Sequence, residues 1–148
     1  MSNYLGEELA VVGRISPVSQ GAGTVDSNAI DCMNFRQLMA VIKSGVLGAA
    51  ATLDAKFQSC ATSGGAYTDI PSASGIPQLV KATDDNKEAV LCLNTDRLPD
   101  GHRFVKLRLT VGAAASLVDA TILGGRCRYE PVADYDATTV ASITFSEP

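Results

Sequence analysis

The sequence predicts an all-β protein, an antiparallel β-sandwich of jelly-roll-like form with about eight or nine short strands. Several short runs alternate apolar and polar residues with a period of two, as strands do when one sheet face is buried and the other meets water. Turn-forming residues separate these runs, and no run has a convincing helical period. We therefore expect one domain over residues 1–148, with a short N-terminal leader (1–7) and a C-terminal arm (131–148) beyond its core.

The N-terminal part predicts strands separated by one polar loop. Residues 8–15 form the first strand, which Pro17 ends. Residues 18–25 are rich in Gly and Ser and predict a loop, and residues 26–31 lead into a short extended segment. Residues 36–43 are predicted as a strand although Leu, Met and Ala also favour helix, because the run is short and no clear cap precedes it.

The middle of the chain contains the clearest alternation, at residues 52–58. Residues 67–70 predict a short edge strand, and residues 71–77 predict an irregular loop, since proline blocks ladder pairing. Residues 83–86 form a polar tip. Residues 87–94 are apolar on both faces, which predicts a central strand.

Residues 104–124 are the stretch around which we expect the sandwich to be organised. Two alternating runs are joined here by a link of Gly and Ala, so we expect the second strand to turn back beside the first as a β-hairpin. The sequence of residues 46–55, VLGAAATLDA, resembles that of residues 111–120, VGAAASLVDA. The same hairpin is therefore expected twice.

Two further strands are predicted near the C-terminus. They are residues 126–129, which Pro131 stops, and residues 140–145. Both chain ends are polar and partly extended, so each is either a frayed tail or a clip that orders against another subunit. We expect protein contacts at these ends and at the loop tips, and the predicted contact residues are Tyr4, Leu5, Arg126, Arg128, Tyr129 and Tyr135.

Composition excludes several partners. The formal charge of −4 argues against a nucleic-acid-binding surface, which needs clustered Lys and Arg. Residues 1–13 lack the basic start and long apolar run of a signal peptide, and no segment approaches the roughly 20 apolar residues of a membrane span. We expect a soluble protein synthesised in the cytoplasm, with no membrane partner. Because Trp is absent, the core should be mainly aliphatic.

The sequence predicts no enzyme and no catalytic residue. His102, the only histidine, lies in a Pro-Asp-Gly turn. A general base needs an orienting carboxylate and a nucleophile; Asp100 is close in sequence, but no nucleophile motif accompanies it. His102 is therefore expected to be an exposed turn residue.

No cofactor or metal is expected either. The four cysteines are spread along the chain without a C-x-x-C pair. Cys92 and Cys127 fall inside predicted strands and are expected to be small buried hydrophobes, with a disulfide or a distant metal cluster as the alternative. Asp84 and Asp85 could offer oxygens to calcium, but EF-hand spacing is missing and a polar loop tip explains them.

A modest basic strip is a further candidate for contact. Arg126 and Arg128 flank Cys127 on one predicted strand, and other basic residues lie elsewhere in the chain: Arg103, Lys106 and Arg108. Such residues usually form a solvated sheet face. The alternative is a contact with an acidic partner surface.

Four segments together resemble a known group of proteins. They are residues 24–31 (TVDSNAID), residues 57–58 leading to 65–70 (GAYTDI), residues 85–87 (DNK) and residues 126–135 (RCRYEPVADY). Over roughly residues 11–136, the chain resembles small virion structural proteins of tailed bacteriophages.

This resemblance implies a β-sandwich without an active site that adds to the phage head. We expect a capsid decoration or cement protein on the virion surface that binds and stabilises the shell of major capsid protein, as a homotrimer at local three-fold positions. A head–tail connector or tail component is the alternative within this class. A carbohydrate-binding module of a phage fibre is a different class, which the absence of Trp disfavours.

Overall fold

The structure of the chain, a computed structural model, describes residues 4–71, 73 and 75–146. Parts of the predicted leader (1–3), of the predicted 71–77 loop (72 and 74) and of the predicted arm (147–148) lie outside these described residues. The elements, in chain order, are α1 (Leu5–Glu8), β1 (Ala10–Gln20), β2 (Gly23–Asp26), β3 (Ile30–Asp31), β4 (Phe35–Ser44), β5 (Thr52–Cys60), β6 (Thr68–Asp69), β7 (Leu79–Val80), α2 (Lys81–Asp84), β8 (Glu88–Asn94), a 3₁₀ turn (Thr95–Arg97), β9 (Phe104–Gly112) and β10 (Ser116–Cys127).

These strands form two antiparallel sheets with the strand order of a jelly roll, as the sequence predicts. Sheet A has the order β1-β10-β4-β8, and sheet B has the order β2-β9-β5-β6, with β3 also paired to β9 and β7 to β5. Because β2 and β3 share one position along β9, and β6 and β7 share one along β5, the described strands fill four positions in each sheet. Along the chain, each strand position lies in the sheet opposite to the one before it, except that β6 follows β5 within sheet B. Two linked Greek keys give this order.

The core lies between the two sheets and is mainly aliphatic. The predicted alternation in β9 is confirmed, since Val105, Leu107 and Leu109 are 0 % exposed. They face a matching row from sheet A, which includes Leu38 and Ile122. Burying each such side chain stabilises the fold by about 1.5–3 kcal/mol.

The predicted β9–β10 hairpin is wrong. β9 pairs with β5 in sheet B, whereas β10 pairs with β1 and β4 in sheet A. The link between them is therefore a β-arch that crosses from one sheet to the other. Alternation shows which side of a strand is buried, but this pattern is the same whether the chain returns in its own sheet or in the facing one.

The two similar Gly-Ala links are both arches, and they contact each other. Since β4 pairs with β10 and β5 pairs with β9, the link 45–51 and the link 113–115 lie at the same end of the sandwich. The Gly48 N–H donates to Ser116 Oγ at 3.0 Å. A Cβ atom on Gly48 would lie 2.5 Å from the Ala115 carbonyl oxygen. We call residues 45–51 and 113–115 the paired arches.

The first strand continues past the predicted stop. β1 runs to Gln20, so the predicted end at Pro17 and the predicted loop over 18–25 are wrong in part. The register with β10 shifts between Ile15 and Val18. Pro17 lies in this irregularity on an edge strand, which is one place where a sheet tolerates proline.

Three other strand predictions also need correction. The predicted strand 126–129 is the end of β10, which stops at Cys127, and residues 140–145 form no strand. β8 is the edge strand of sheet A, not a central one. The middle of its outer face is apolar, because Val90 and Cys92 are exposed to solvent.

We predict that Gly48→Ala lowers the free energy of unfolding by about 1–3 kcal/mol, because the new methyl group overpacks the contact between the paired arches. The matched control is Gly64→Ala, since a Cβ there has nothing within 4 Å. Urea unfolding of the two variants checks this. Equal effects of the two substitutions would show that the arches are not in close contact.

Candidate functional site

Both chain ends fold onto the end of the sandwich opposite the paired arches. At that end β10 stops beside the start of β4, with Cys127 opposite Phe35, and β1 begins beside Gly124. α1 and residues 128–146 extend from these strand ends. We call the surface formed by residues 4–9, 33–34 and 126–146 the terminal face.

Backbone hydrogen bonds join the C-terminal segment to the N-terminal one. The Val132 N–H donates to the Glu7 carbonyl at 2.9 Å, and the Asp136 N–H donates to the Val11 carbonyl at 2.8 Å. The second bond covers part of the free edge of β1. The segment is thus ordered against its own chain and is not a frayed tail. The alternative, a clip on another subunit, stays a prediction.

Side chains strengthen this connection. The rings of Tyr4 and Phe145 lie with centroids 5.1 Å apart, and the Tyr4 hydroxyl donates to the Ser146 carbonyl at 3.2 Å. The Asn34 amide donates to the Asp134 carboxylate at 2.8 Å. These contacts hold the terminal face in one arrangement.

The structure brings all six predicted contact residues to the terminal face. Leu5 is 72 % exposed and Tyr129 is 70 % exposed. Tyr135, Arg126 and Arg128 are also exposed. Tyr4 is half-buried because it packs on the C-terminal segment.

Sequence reasoning missed four apolar residues of the same surface. Within the described chain, seven of the eleven exposed large apolar side chains lie on the terminal face. They are Leu5, Leu9, Met33, Tyr129, Tyr135, Ile143 and Phe145. The four residues that were not predicted are Leu9, Met33, Ile143 and Phe145. Of these, Met33 could have been predicted because it is a large apolar residue inside the polar turn before β4. A groove of about 140 Å³ between α1 and the C-terminal segment adds to the apolar character of this surface.

Much of the predicted basic strip is neutralised within the chain. Arg108 donates two hydrogen bonds to the Asp26 carboxylate, at 2.7 and 2.9 Å. Arg103 makes the same bidentate contact with the Asp31 carboxylate. These hydrogen bonds lower the pKa of both aspartates. Arg126 and Arg128 of the predicted strip are exposed on the terminal face.

His102 is not the exposed turn residue that the sequence predicts. It is half-buried, and its Nδ1 lies 2.7 Å from Oγ of Ser59. Ser59 is 0 % exposed on the inner face of β5. Because no substrate can reach a hydroxyl with no exposed surface, this contact satisfies a buried polar group rather than forming a nucleophile and its base.

The cysteines also differ from the prediction. Cys32 and Cys60 are buried, Cys92 is exposed and Cys127 is half-buried, and all four thiols are free. Burial raises the pKa of Cys32 to about 12. Over residues 4–71, 73 and 75–146, no group of three or more His, Cys, Asp and Glu is placed to hold a metal ion.

The polar tip that could have offered oxygens to calcium has a structural role. The Asp85 carboxylate accepts a hydrogen bond from the Leu47 N–H at 2.9 Å, and the Asp84 carboxylate accepts one from the Val80 N–H at 2.9 Å. The hydrogen bond from Leu47 to Asp85 thereby holds the arch of residues 45–51 in place.

No protein-family model matches the chain, and no curated protein matches it. No helix in the described part of the chain is long and apolar enough to cross a membrane.

We predict that His102→Ala lowers the free energy of unfolding by about 1–3 kcal/mol, because the Ser59 hydroxyl loses its partner in the core. Ser59→Ala removes that hydroxyl, so the double variant should be more stable than the sum of the two single effects implies. Urea unfolding of all four proteins measures the coupling. Strict additivity would show that the contact contributes nothing.

We also predict that Asp26 stabilises the folded state by an amount that decreases in acid. Because its pKa is lowered in the folded chain, its stabilisation is fully present above its unfolded pKa of about 3.9 and is lost as pH falls through the folded value. The ion pair of Asp26 with Arg108 is partly exposed, so we expect it to contribute about 0.5–1 kcal/mol to the free energy of unfolding. Unfolding at pH 7 and pH 3 should show a smaller pH effect in Asp26→Asn than in wild type; an equal effect would contradict this.

Proposed function

We propose that the protein is a virion structural protein of a tailed phage, a capsid decoration or cement protein that binds the assembled shell of major capsid protein through its terminal face. The concentration of exposed apolar side chains at one end of the sandwich is the observation that supports this most. Soluble monomers rarely expose large contiguous apolar surfaces, and those that do usually use them for binding.

The composition of the terminal face suits a protein partner. Exposed tyrosine and arginine side chains are frequent in the residues that contribute most to protein–protein binding. Tyr129 and Leu5 offer apolar anchors, and Arg126 and Arg128 add positive charge beside them. Such charges favour an acidic partner surface and increase the association rate.

The internal bonds of the terminal face also favour binding. Because residues 4–11 are already joined to the C-terminal segment at Tyr4, Glu7 and Val11, little conformational entropy is lost when the surface docks. A protein that binds only the assembled shell stabilises that state by mass action. We propose that the terminal face spans the seam between neighbouring capsid subunits in this way.

Copy number and glycan binding distinguish two other roles from this one. A head–tail connector or tail component would use the same surface at a much lower copy number.

The ring of Tyr129 is 70 % exposed and could stack on a sugar, which is the feature that favours a carbohydrate-binding module. Binding of the isolated protein on a glycan array would support that second class.

We predict that the purified protein adds to expanded empty heads of its phage, with a saturating copy number close to that of the capsomers. Leu5→Ala and Tyr129→Ala should each weaken binding about 10-fold or more, because both truncate exposed anchors. The control is Val18→Ala, since Val18 is exposed at the arch end. Quantitative gels of sedimented heads measure both quantities.

Three other results of the head-binding experiment would change the assignment. About a dozen copies or fewer per particle would assign the protein to the neck or the tail. Equal loss of binding in Val18→Ala would show that the terminal face is not the contact surface. A complete failure to bind heads would contradict the proposed function.

A further inference from the structure

The outer edge of β8 has free backbone hydrogen-bonding groups. The Ser44 N–H donates to the Lys87 carbonyl at 2.8 Å, and the register from Lys43 opposite Glu88 to Gln37 opposite Asn94 continues from this bond without a break. In an antiparallel ladder, backbone groups point alternately toward and away from the neighbouring strand. The N–H and C=O groups of residues 88, 90, 92 and 94 therefore face away from β4.

The other sheet edges of the described chain are protected. On β1, the irregularity around Pro17 and the hydrogen bond from Asp136 to Val11 interrupt the edge. The edges of sheet B are divided into strands of two to four residues: β2, β3, β6 and β7. β8 instead has seven residues, with no proline and no register shift. Proteins normally block such an edge or pair it.

We propose that β8 pairs antiparallel with β8 of a second copy of this chain, around a two-fold axis at Leu91. Both four-stranded sheets A would then form one eight-stranded sheet. Because residues 88, 90, 92 and 94 face outward, only registers that place these residues opposite one another can form hydrogen bonds. The register centred on Leu91 is the one that pairs all seven residues.

The side chains of β8 are complementary to themselves in this register. Val90, 58 % exposed, faces Cys92 of the second copy, and Glu88 faces Asn94. Glu88 is the only charged residue in β8, and its two copies would lie about 20 Å apart, at about 3.4 Å per residue. On the inner side, the half-buried Leu91 meets its own copy beside the core. No like charges oppose the pair.

A two-fold pair differs from the trimer that the phage resemblance predicts. A three-fold axis brings unlike surfaces of neighbouring copies together, whereas a two-fold axis joins the same surface of each. The β8 pair forms at the edge of sheet A opposite β1, whereas the C-terminal segment of the terminal face is bonded to β1. The pairing therefore does not depend on a capsid partner. A dimer that fails to bind heads would contradict the proposed function and leave this pairing intact.

The experiment compares Val90→Lys with Val46→Lys by analytical ultracentrifugation over a concentration series. Both valines are exposed to a similar extent, 58 % and 53 %, but Val46 lies in the paired arches. We expect a dimer of wild type and of Val46→Lys, and an increase in the dimer dissociation constant of about 10-fold or more in Val90→Lys, because edge lysines oppose strand pairing. A wild-type monomer at all concentrations, a trimer, or a dimer insensitive to Val90→Lys would overturn the proposal.

Disulfide trapping tests the register. The double variant Val90→Cys, Cys92→Ser is mixed with wild type under mild oxidation. A covalent heterodimer should form because Val90 and Cys92 of different copies lie opposite each other, at a Cα separation of about 5.5 Å that a disulfide can span. Wild type alone should give far less dimer, and abundant wild-type dimer linked through Cys92 would contradict the Leu91-centred register.

Hydrogen exchange gives a readout that needs no variant. In the dimer, the amides of Val90 and Cys92 are hydrogen-bonded to the second copy, so their exchange should slow as protein concentration rises. Fast, concentration-independent exchange of both amides would show an open edge and overturn the pairing.

Discussion

The contact between the paired arches sets the arrangement of the whole sandwich. Gly48 approaches the backbone near Ala115 so closely that a side chain would not fit. The two arches in contact connect β4 and β10, which are neighbours in one sheet, to β5 and β9, which are neighbours in the other. The four strands enclose most of the core, and the remaining strands add to their outer sides.

With one end of the sandwich closed by the arches, the chain ends meet at the other. Hydrogen bonds to Glu7 and Val11 hold the C-terminal segment there, and most of the exposed apolar side chains lie beside it. The fold thus separates a closed end, a long strand edge at β8 and a preformed terminal face. We propose that these two surfaces serve assembly: the edge joins two copies, and the face binds the capsid shell.

The sequence predicts the strands better than their partners. Alternation locates β5 and β9 correctly because it reports a buried face, whereas β4 was predicted from the shortness of its run. The repeated Gly-Ala link correctly indicates one kind of connection used twice. Alternation does not assign strands to sheets, so the sequence predicts hairpins where the structure has arches. Apolar residues on both faces of β8 predict a central strand where the structure has an edge strand. The Ser59–His102 contact joins residues 43 positions apart, and no local pattern signals it. The sequence places Tyr4, Leu5, Tyr129 and Tyr135 near the chain ends, and the structure puts them on the terminal face; their contact with a partner stays a prediction.

The most direct test of the account is hydrogen exchange of the protein bound to expanded heads, compared with the free protein. If the terminal face binds the shell, amides in residues 4–9 and 126–136 should exchange more slowly on the particle, while those of the paired arches should be unchanged. Slower exchange confined to the arches, with the terminal face unaffected, would contradict the central claim.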